Sequence, residues 1–263
     1  MYLLLCLLVF AATYTLNILM ISVGYHRGLA HGAVALGPVL HRLVVSGGNW
    51  VTGLDPKAWV VMHRMHHVHS DTPEDPHSPV NVGIIGVGMA QLRSYERVLE
   101  GLATGNPKYT QHAEDLDFDL NWMNRHRVWW LPYAVHALIA IALVAPGGWL
   151  LGLAYFLGMM SHPIQGGMVN AFGHAVGGRN FDTDDHSRNN LAVAVLIMGE
   201  GLQNNHHRYP RSAKFSYWRW EPDLGFTWCL FFESLGLLQI DGSQLIPAPP
   251  TLERVRSSGP RLP

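Results

Sequence analysis

Residues 128–178 read VWWLPYAVHALIAIALVAPGGWLLGLAYFLGMMSHPIQGGMVNAFGHAVGG, without a single Asp, Glu, Lys or Arg. Pro146-Gly147-Gly148 divides this run into 128–145 and 149–169. Each part is near the roughly 20 helical residues that a hydrocarbon core of about 30 Å requires. Two such segments joined by a proline and two glycines predict a transmembrane hairpin. Trp129, Trp130 and Trp149 stand near its ends, where amphipathic rings favour the headgroup layer. His136, inside the first leg, reads as a histidine hydrogen-bonded to a neighbouring helix.

Toward the N-terminus, residues 1–25 are also free of charge, and the apolar run is dense over 2–23. A cleaved signal peptide would carry a basic n-region and a small-x-small site before His26. Neither is present, so the segment predicts a retained anchor. The fold class that follows is all-α and integral to a membrane, with about three transmembrane helices over 2–23, 128–145 and 149–169. A polar, histidine-rich helical domain caps them. Apolar but interrupted segments at 36–50 and 226–240 predict helices lying at the interface. Residues 81–90 are glycine-rich and too short to span. Residues 96–127 predict a solvated linker; Asp115, Asp117 and Asp119 alternate there without the glycine and terminal glutamate of a calcium loop. One domain is expected over 1–245, followed by a disordered, proline-rich tail over 246–263.

Each apolar segment delivers the chain to histidines. His26 and His31 follow the first span, and Asn170-x-x-x-His174 follows the hairpin. His63-Arg64-Met65-His66-His67 comes off a helix entered through Asp55-Pro56, with proline in the first turn. Gln203-Asn204-Asn205-His206-His207 repeats that spacing with glutamine in the leading place. On a helix, His63, His66 and His67 fall within roughly 100° of one another. His26 and His31 are about 140° apart on an ideal α-helix, so they share a site only if the helix ends or distorts near Gly28. With three spans all four stretches emerge on one face. That face carries Arg27, Arg42, Lys57, Arg64, Arg125, Arg127, Arg179 and Arg208, and the positive-inside rule makes it cytoplasmic.

Charged residues form only 14% of the 263, against about 25% in soluble domains. A formal net charge of −1 gives no footprint for nucleic acid. Cys6 and Cys229 lie in apolar runs and read as buried packing residues, not as a disulfide framework. Imidazoles are the metal-binding resource instead. His26, His31, His63, His66, His67, His174, His206 and His207, joined by Gln203 and Asn170, exceed the positions around one ion, so two metals are the natural count. There is no HExxH of zinc hydrolases and no ExxH pair of soluble di-iron bundles. A histidine-rich dimetal site at a membrane surface suits oxygen activation on iron.

These motifs resemble those of the membrane-bound fatty acid desaturases, above all the acyl-CoA Δ9-desaturase branch. The similarity rests on the two boxes His26-Arg-Gly-Leu-Ala-His31 and His63-Arg-Met-His66-His67, on Asn170-x-x-x-His174, and on Gly199-Glu200-Gly201 leading to His206-His207. Trp59 and the Asp75-Pro76-His77 loop agree as well, and coverage runs from about Tyr14 to about Leu238. The resemblance implies a first iron on His26, His31, His63, His67 and His206. It implies a second on His66, His174 and His207, with Asn170 acting through a water, and a place for Trp59 at the substrate. It implies O2 as co-substrate, an acyl-CoA, acyl-carrier-protein or lipid-linked acyl chain, and an external electron donor of ferredoxin or cytochrome b5 type. No HPGG haem signature occurs, since Ala145 stands before Pro146-Gly147-Gly148. Two departures accompany it. Gln203, a weaker neutral donor, occupies a histidine position, and the chain starts at what resembles the second of the family's four spans. A lipid or alkane hydroxylase on the same scaffold, or a non-catalytic zinc-binding membrane protein, are the competing functions.

Overall fold

The computed structural model of the protein describes residues 1–249. An N-terminal helix (Tyr2–Leu19) runs without interruption into a π-helix (Met20–Ala30). Among the described residues two helices are long and apolar enough to cross a membrane, Tyr2–Ala30 and Leu131–Met159. The second is not straight. Gly148 leaves helical geometry at φ 73°, ψ 165°, and a Cβ on Gly152 would stand 2.3 Å from the Ala140 carbonyl oxygen. In a continuous helix those residues would be about 18 Å apart, so the chain folds back at Pro146-Gly147-Gly148.

The returning leg lies along the N-terminal helix. Leu151 and Ala154 pack on Cys6, and Asn17 Nδ2 donates to the carbonyls of Met159 at 2.7 Å and Val51 at 2.9 Å. Tyr2 lies beside Gly148, so the turn sits at the end of the N-terminal helix remote from His26. The expected single leg over 149–169 is interrupted. The helix stops at Met159, and a new one begins as His162–Ala175 with Pro163 in its first turn. Proline lacks the N–H that would continue the ladder and clashes with the preceding turn.

Around the π-helix pack a helix over Pro38–Thr52 and the box helix Pro56–His69, and a helix over Pro79–Ala103 packs on the box helix and on His162–Ala175. Tyr25, Val44, Ala58, Val60, Val61 and Val98 form the main core beneath the histidines. Asp55 caps the box helix by accepting from the backbone N–H groups of Lys57 at 2.9 Å and Ala58 at 3.2 Å.

The same Asp55 carboxylate accepts from Asn121 N and Asn124 Nδ2, both at 2.8 Å. Arg64 grips both oxygens of Asp115 at 2.5 and 2.8 Å. The polar stretch expected as a solvated linker is therefore a strap tied to the box helix, and its beginning belongs to Pro79–Ala103, a helix broken only at Gly83. Some pairing lies outside an all-α description: Val34–Leu36 pairs antiparallel with Leu238–Ile240, and Asn189 forms isolated antiparallel bridges with Gly178 and Leu202. The expected tail also begins later than 246. Ile246 is buried and its N–H donates to Ser212 Oγ at 3.1 Å; residues 250–263 of that expectation lie outside the described residues.

Candidate metal centre

The eight histidines meet as two adjoining groups. His26, His31, His63, His67 and His206 form one, and His66, His174 and His207 the other; within each, the ligand nitrogens lie within 4.8 Å of one another. Local geometry explains how they arrive. The π-helix closes its turns with a bond from His31 N to His26 O at 3.2 Å, five residues apart, so the two imidazoles sit one turn apart on one face. The distortion therefore starts at Met20 and is helical throughout, not a break at Gly28. Gly24 and Gly28 serve packing instead, since a Cβ on either would meet Val44 or Leu36 at 2.8 Å. The box helix directs His63 and His67 to the first group and His66 to the second. The short helix Gln203–Arg208 splits its neighbouring histidines the same way.

In the five-histidine group the Nε2 atoms crowd one point. His31 and His63 approach to 2.8 Å, His67 and His206 to 2.9 Å, His26 and His206 to 3.0 Å, and His67 and His63 to 3.1 Å. Lone pairs forced this close repel unless a cation lies between them. Nitrogens bound at right angles to one ion, about 2.1 Å from each, would be about 3 Å apart. In the three-histidine group Nε2 of His66, His174 and His207 is buried, and each lacks a hydrogen-bond partner among the described residues. Three orphaned buried nitrogens facing one another are a metal-binding arrangement.

Carboxylates orient the rings from behind. Nδ1 of His26 donates to Glu200 at 2.6 Å, His66 to Asp75 at 2.9 Å, His174 to Asp71 at 2.8 Å and His207 to Asp185 at 2.5 Å. Each bond fixes the proton on Nδ1 and leaves the Nε2 lone pair for a metal. All three members of the smaller group have such a partner. Burial, reinforced by the neighbouring imidazoles, holds His31, His63, His67 and His206 well below the ordinary histidine range, and burial brings His207 down to about 4. These five rings are thus neutral at pH 7, the form that binds metal. Burial raises Glu200, but His26 and Arg27 outweigh it and hold the carboxyl at about 2.

Glu200 also accepts from Arg27 Nη1 at 2.8 Å, and Arg27 is fully buried against Asp223 and the Phe215 ring. Its flanking glycines are required. Gly199 has φ +101°, and a Cβ on Gly201 would fall 2.3 Å from the Ala194 nitrogen.

A cavity opens beside the five-histidine group, lined among others by Ile18, Ile21, Trp59, His63, Asn170 and Gln203. Gln203 is buried and donates through Nε2 to the Glu200 carbonyl at 2.7 Å. Asn170 Nδ2 donates to Gln91 at 3.1 Å. Trp59 lies flat on His63, with ring centroids 4.9 Å apart at 13°. His136 stays apart, bonded to the Trp50 carbonyl and the Tyr155 hydroxyl.

Sequence reasoning did not single out Asp71, Asp75, Asp185 or Glu200 as partners of the histidines, nor His162, which accepts the Trp59 indole N–H at 3.1 Å. Four carboxylates that follow or precede histidine boxes in turn-rich loops were the available signal.

The chain matches the family model described as fatty acid desaturase over residues 1–221. It is 31% identical over 242 residues to a hex-5-enoyl-[acyl-carrier protein] acetylenase of Moorena producens, covering 86% of this chain and 73% of that protein. It is 31% identical over 224 residues to an sn-1 stearoyl-lipid 9-desaturase of Synechocystis, covering 82% and 65%. It is 30% identical over 227 residues to an icosanoyl-CoA 5-desaturase of Limnanthes douglasii, covering 84% and 60%. The chain thus spans between 60% and 73% of the length of these three relatives. With a family match over most of its length and eight imidazoles gathered in two groups, the chain belongs to the fatty acid desaturase family.

Proposed function

We propose that this protein is an oxygen-dependent acyl desaturase, an oxidoreductase that introduces a double bond into a fatty acyl chain at a centre of two irons. The observation that carries this reading is the convergence of eight buried or half-buried imidazoles in adjoining groups of five and three. His26, His31, His63, His67 and His206 would hold the first iron. His66, His174 and His207 would hold the second, with Asn170 acting through a water and Gln203 as a neutral donor. Bound iron supplies the activation of O2, with electrons from a separate protein of ferredoxin or cytochrome b5 type.

The protein's own contribution is orientation and exclusion. Asp71, Asp75, Asp185 and Glu200 hold the rings in one tautomer. Trp59, Ile18, Ile21 and Val169 line the cavity where the acyl chain would lie, and its anchored end selects the carbon that meets the metals. The named relatives act on carrier-protein, lipid and CoA substrates; an acyl chain is what these have in common, and it is the substrate class proposed here.

Three membrane crossings, over the N-terminal helix and the two legs of the hairpin, fit the site. Tyr2 and Gly148 lie together at one end, and under the positive-inside rule the charge distribution favours the cytoplasm for the opposite end, with its histidines. Expression in a host of known lipid composition tests the function: new, oxygen-dependent double bonds are expected, and they disappear in His66→Ala. An alcohol as sole product would assign the scaffold to hydroxylation. A redox-silent zinc protein without any oxygen-dependent product would end the oxidoreductase reading.

A further inference from the structure

The cavity beside the five-histidine group is more polar than an alkyl chain requires. Ile18, Ile21 and Val169 contribute apolar lining, and the polar side chains of Gln91, His162 and Gln165 line the cavity with them. His162 is 4% and Gln165 3% exposed, so water does not freely satisfy them. An indole N–H can only donate, and Trp59 Nε1 meets His162 Nε2 at 3.1 Å. Nε2 is therefore the unprotonated nitrogen, and the proton of the neutral ring is on Nδ1. That Nδ1 is buried and has no partner among the described residues.

Gln165 is oriented in the same way, its Nε2 donating to Ser161 Oγ at 2.6 Å. Its carbonyl oxygen is left as the free end of a side chain that lines the cavity. Capturing the Trp59 N–H does not explain a histidine at 162. A hydroxyl or amide oxygen would accept that bond without creating a buried donor, and an unsatisfied buried donor is destabilising. Trp59 lies flat against His63. A single aromatic ring therefore separates His162 from the five-histidine group.

We infer that the cavity takes an acyl chain bearing a hydrogen-bond-accepting oxygen a few carbons from the reacting position, held by the Nδ1–H of His162. The inference rests on the acyl-desaturase reading and narrows its substrate class. The oxygen has two possible sources: a hydroxyl partway along a long chain, or the carbonyl of the thioester or ester on a short one.

Binding to purified, metal-loaded protein in detergent, followed by equilibrium dialysis, tests it with two pairs of probes matched for length. One pair is the N-acetylcysteamine thioester of palmitate and of a mid-chain hydroxypalmitate. The other is the hexanoyl thioester and the corresponding thioether that lacks the carbonyl. The oxygen-bearing member of one pair is expected to bind about tenfold or more tightly, and which pair responds identifies the source. His162→Phe is expected to bring the responding pair to within about twofold.

Equal affinities in both pairs, or a preference that survives in His162→Phe, would overturn the inference. If that variant does not fold, the two wild-type pairs alone decide. Because binding is measured apart from turnover, the two readings fail separately. A clear preference without any double-bond product sinks the desaturase reading and leaves the subsite. Desaturation of plain long chains with equal affinities sinks the subsite alone.

Discussion

Asp71 shows how a loop carboxylate just past one histidine box comes to orient a histidine far along the chain. Its carboxylate accepts from His174 Nδ1 at 2.8 Å and from the His186 backbone N–H at 2.8 Å. Burial opposes its ionisation, but the His174 bond and charge outweigh that and hold the carboxyl far below its ordinary range. The residue itself has φ 60°, a left-handed conformation that asparagine also tolerates. Asp71→Asn therefore keeps the backbone and an acceptor oxygen while removing the charge. Affinity for the metal at the three-histidine group is expected to fall about 10- to 100-fold, read by chelator competition, with the five-histidine group retained. Unchanged affinity at both groups would show that the carboxylate only packs. The clustering of His63, His66 and His67 was legible because imidazoles at spacings of three and four mark one helix face. The carboxylate partners of the histidines were not. Asp71 and Asp185 are separated from their histidines by 103 and 22 residues, and nothing in a loop aspartate says which distant ring it will meet.

At the scale of elements, the π-helix decides whether His26 and His31 can act together, and it could not be read from the sequence. A five-residue spacing signals no regular α-helical face, so a distortion could be inferred but not its kind or its start. The break at Met159 was likewise hidden inside an uncharged run, although Pro163 marks it in retrospect. The π-helix is held in place by a close approach of the following helix. Gly48 of Pro38–Thr52 lies against Tyr25, and a Cβ there would stand 2.3 Å from Tyr25 Oη. Tyr25 is fully buried and donates to the Leu54 carbonyl at 2.9 Å, so it cannot swing away without losing that bond. Gly48→Ala is expected to destabilise the protein by about 1–3 kcal/mol. It should also lower metal content, because Tyr25 precedes His26. Tyr25→Phe in the same background removes the closest contact and should recover part of the loss. A Gly48→Ala protein of unchanged thermal stability and metal content would show that the two helices separate freely.

For the molecule as a whole, the two ends of the hairpin differ in chemistry, and this asymmetry ties topology to catalysis. In the proposed reaction, lipid-soluble acyl chains would reach the cavity from the bilayer side, while electrons would come from a donor protein at the polar end. Exposed apolar side chains also stand on two shorter helices: Val39 and Leu43 on Pro38–Thr52, Leu230 and Phe231 on Leu224–Ser234. The three-crossing arrangement makes a direct prediction, because the native thiols are silent: Cys6 is 3% exposed and Cys229 fully buried. Trp149, at the turn, is 69% exposed, and Asp182 lies on the histidine side with its side chain in the open. A membrane-impermeant maleimide should label Trp149→Cys on intact cells and Asp182→Cys only after permeabilisation. Labelling of both in intact cells would put the histidines outside the cytoplasm or remove a crossing. Protection of both until permeabilisation would mean that the hairpin enters the bilayer without traversing it.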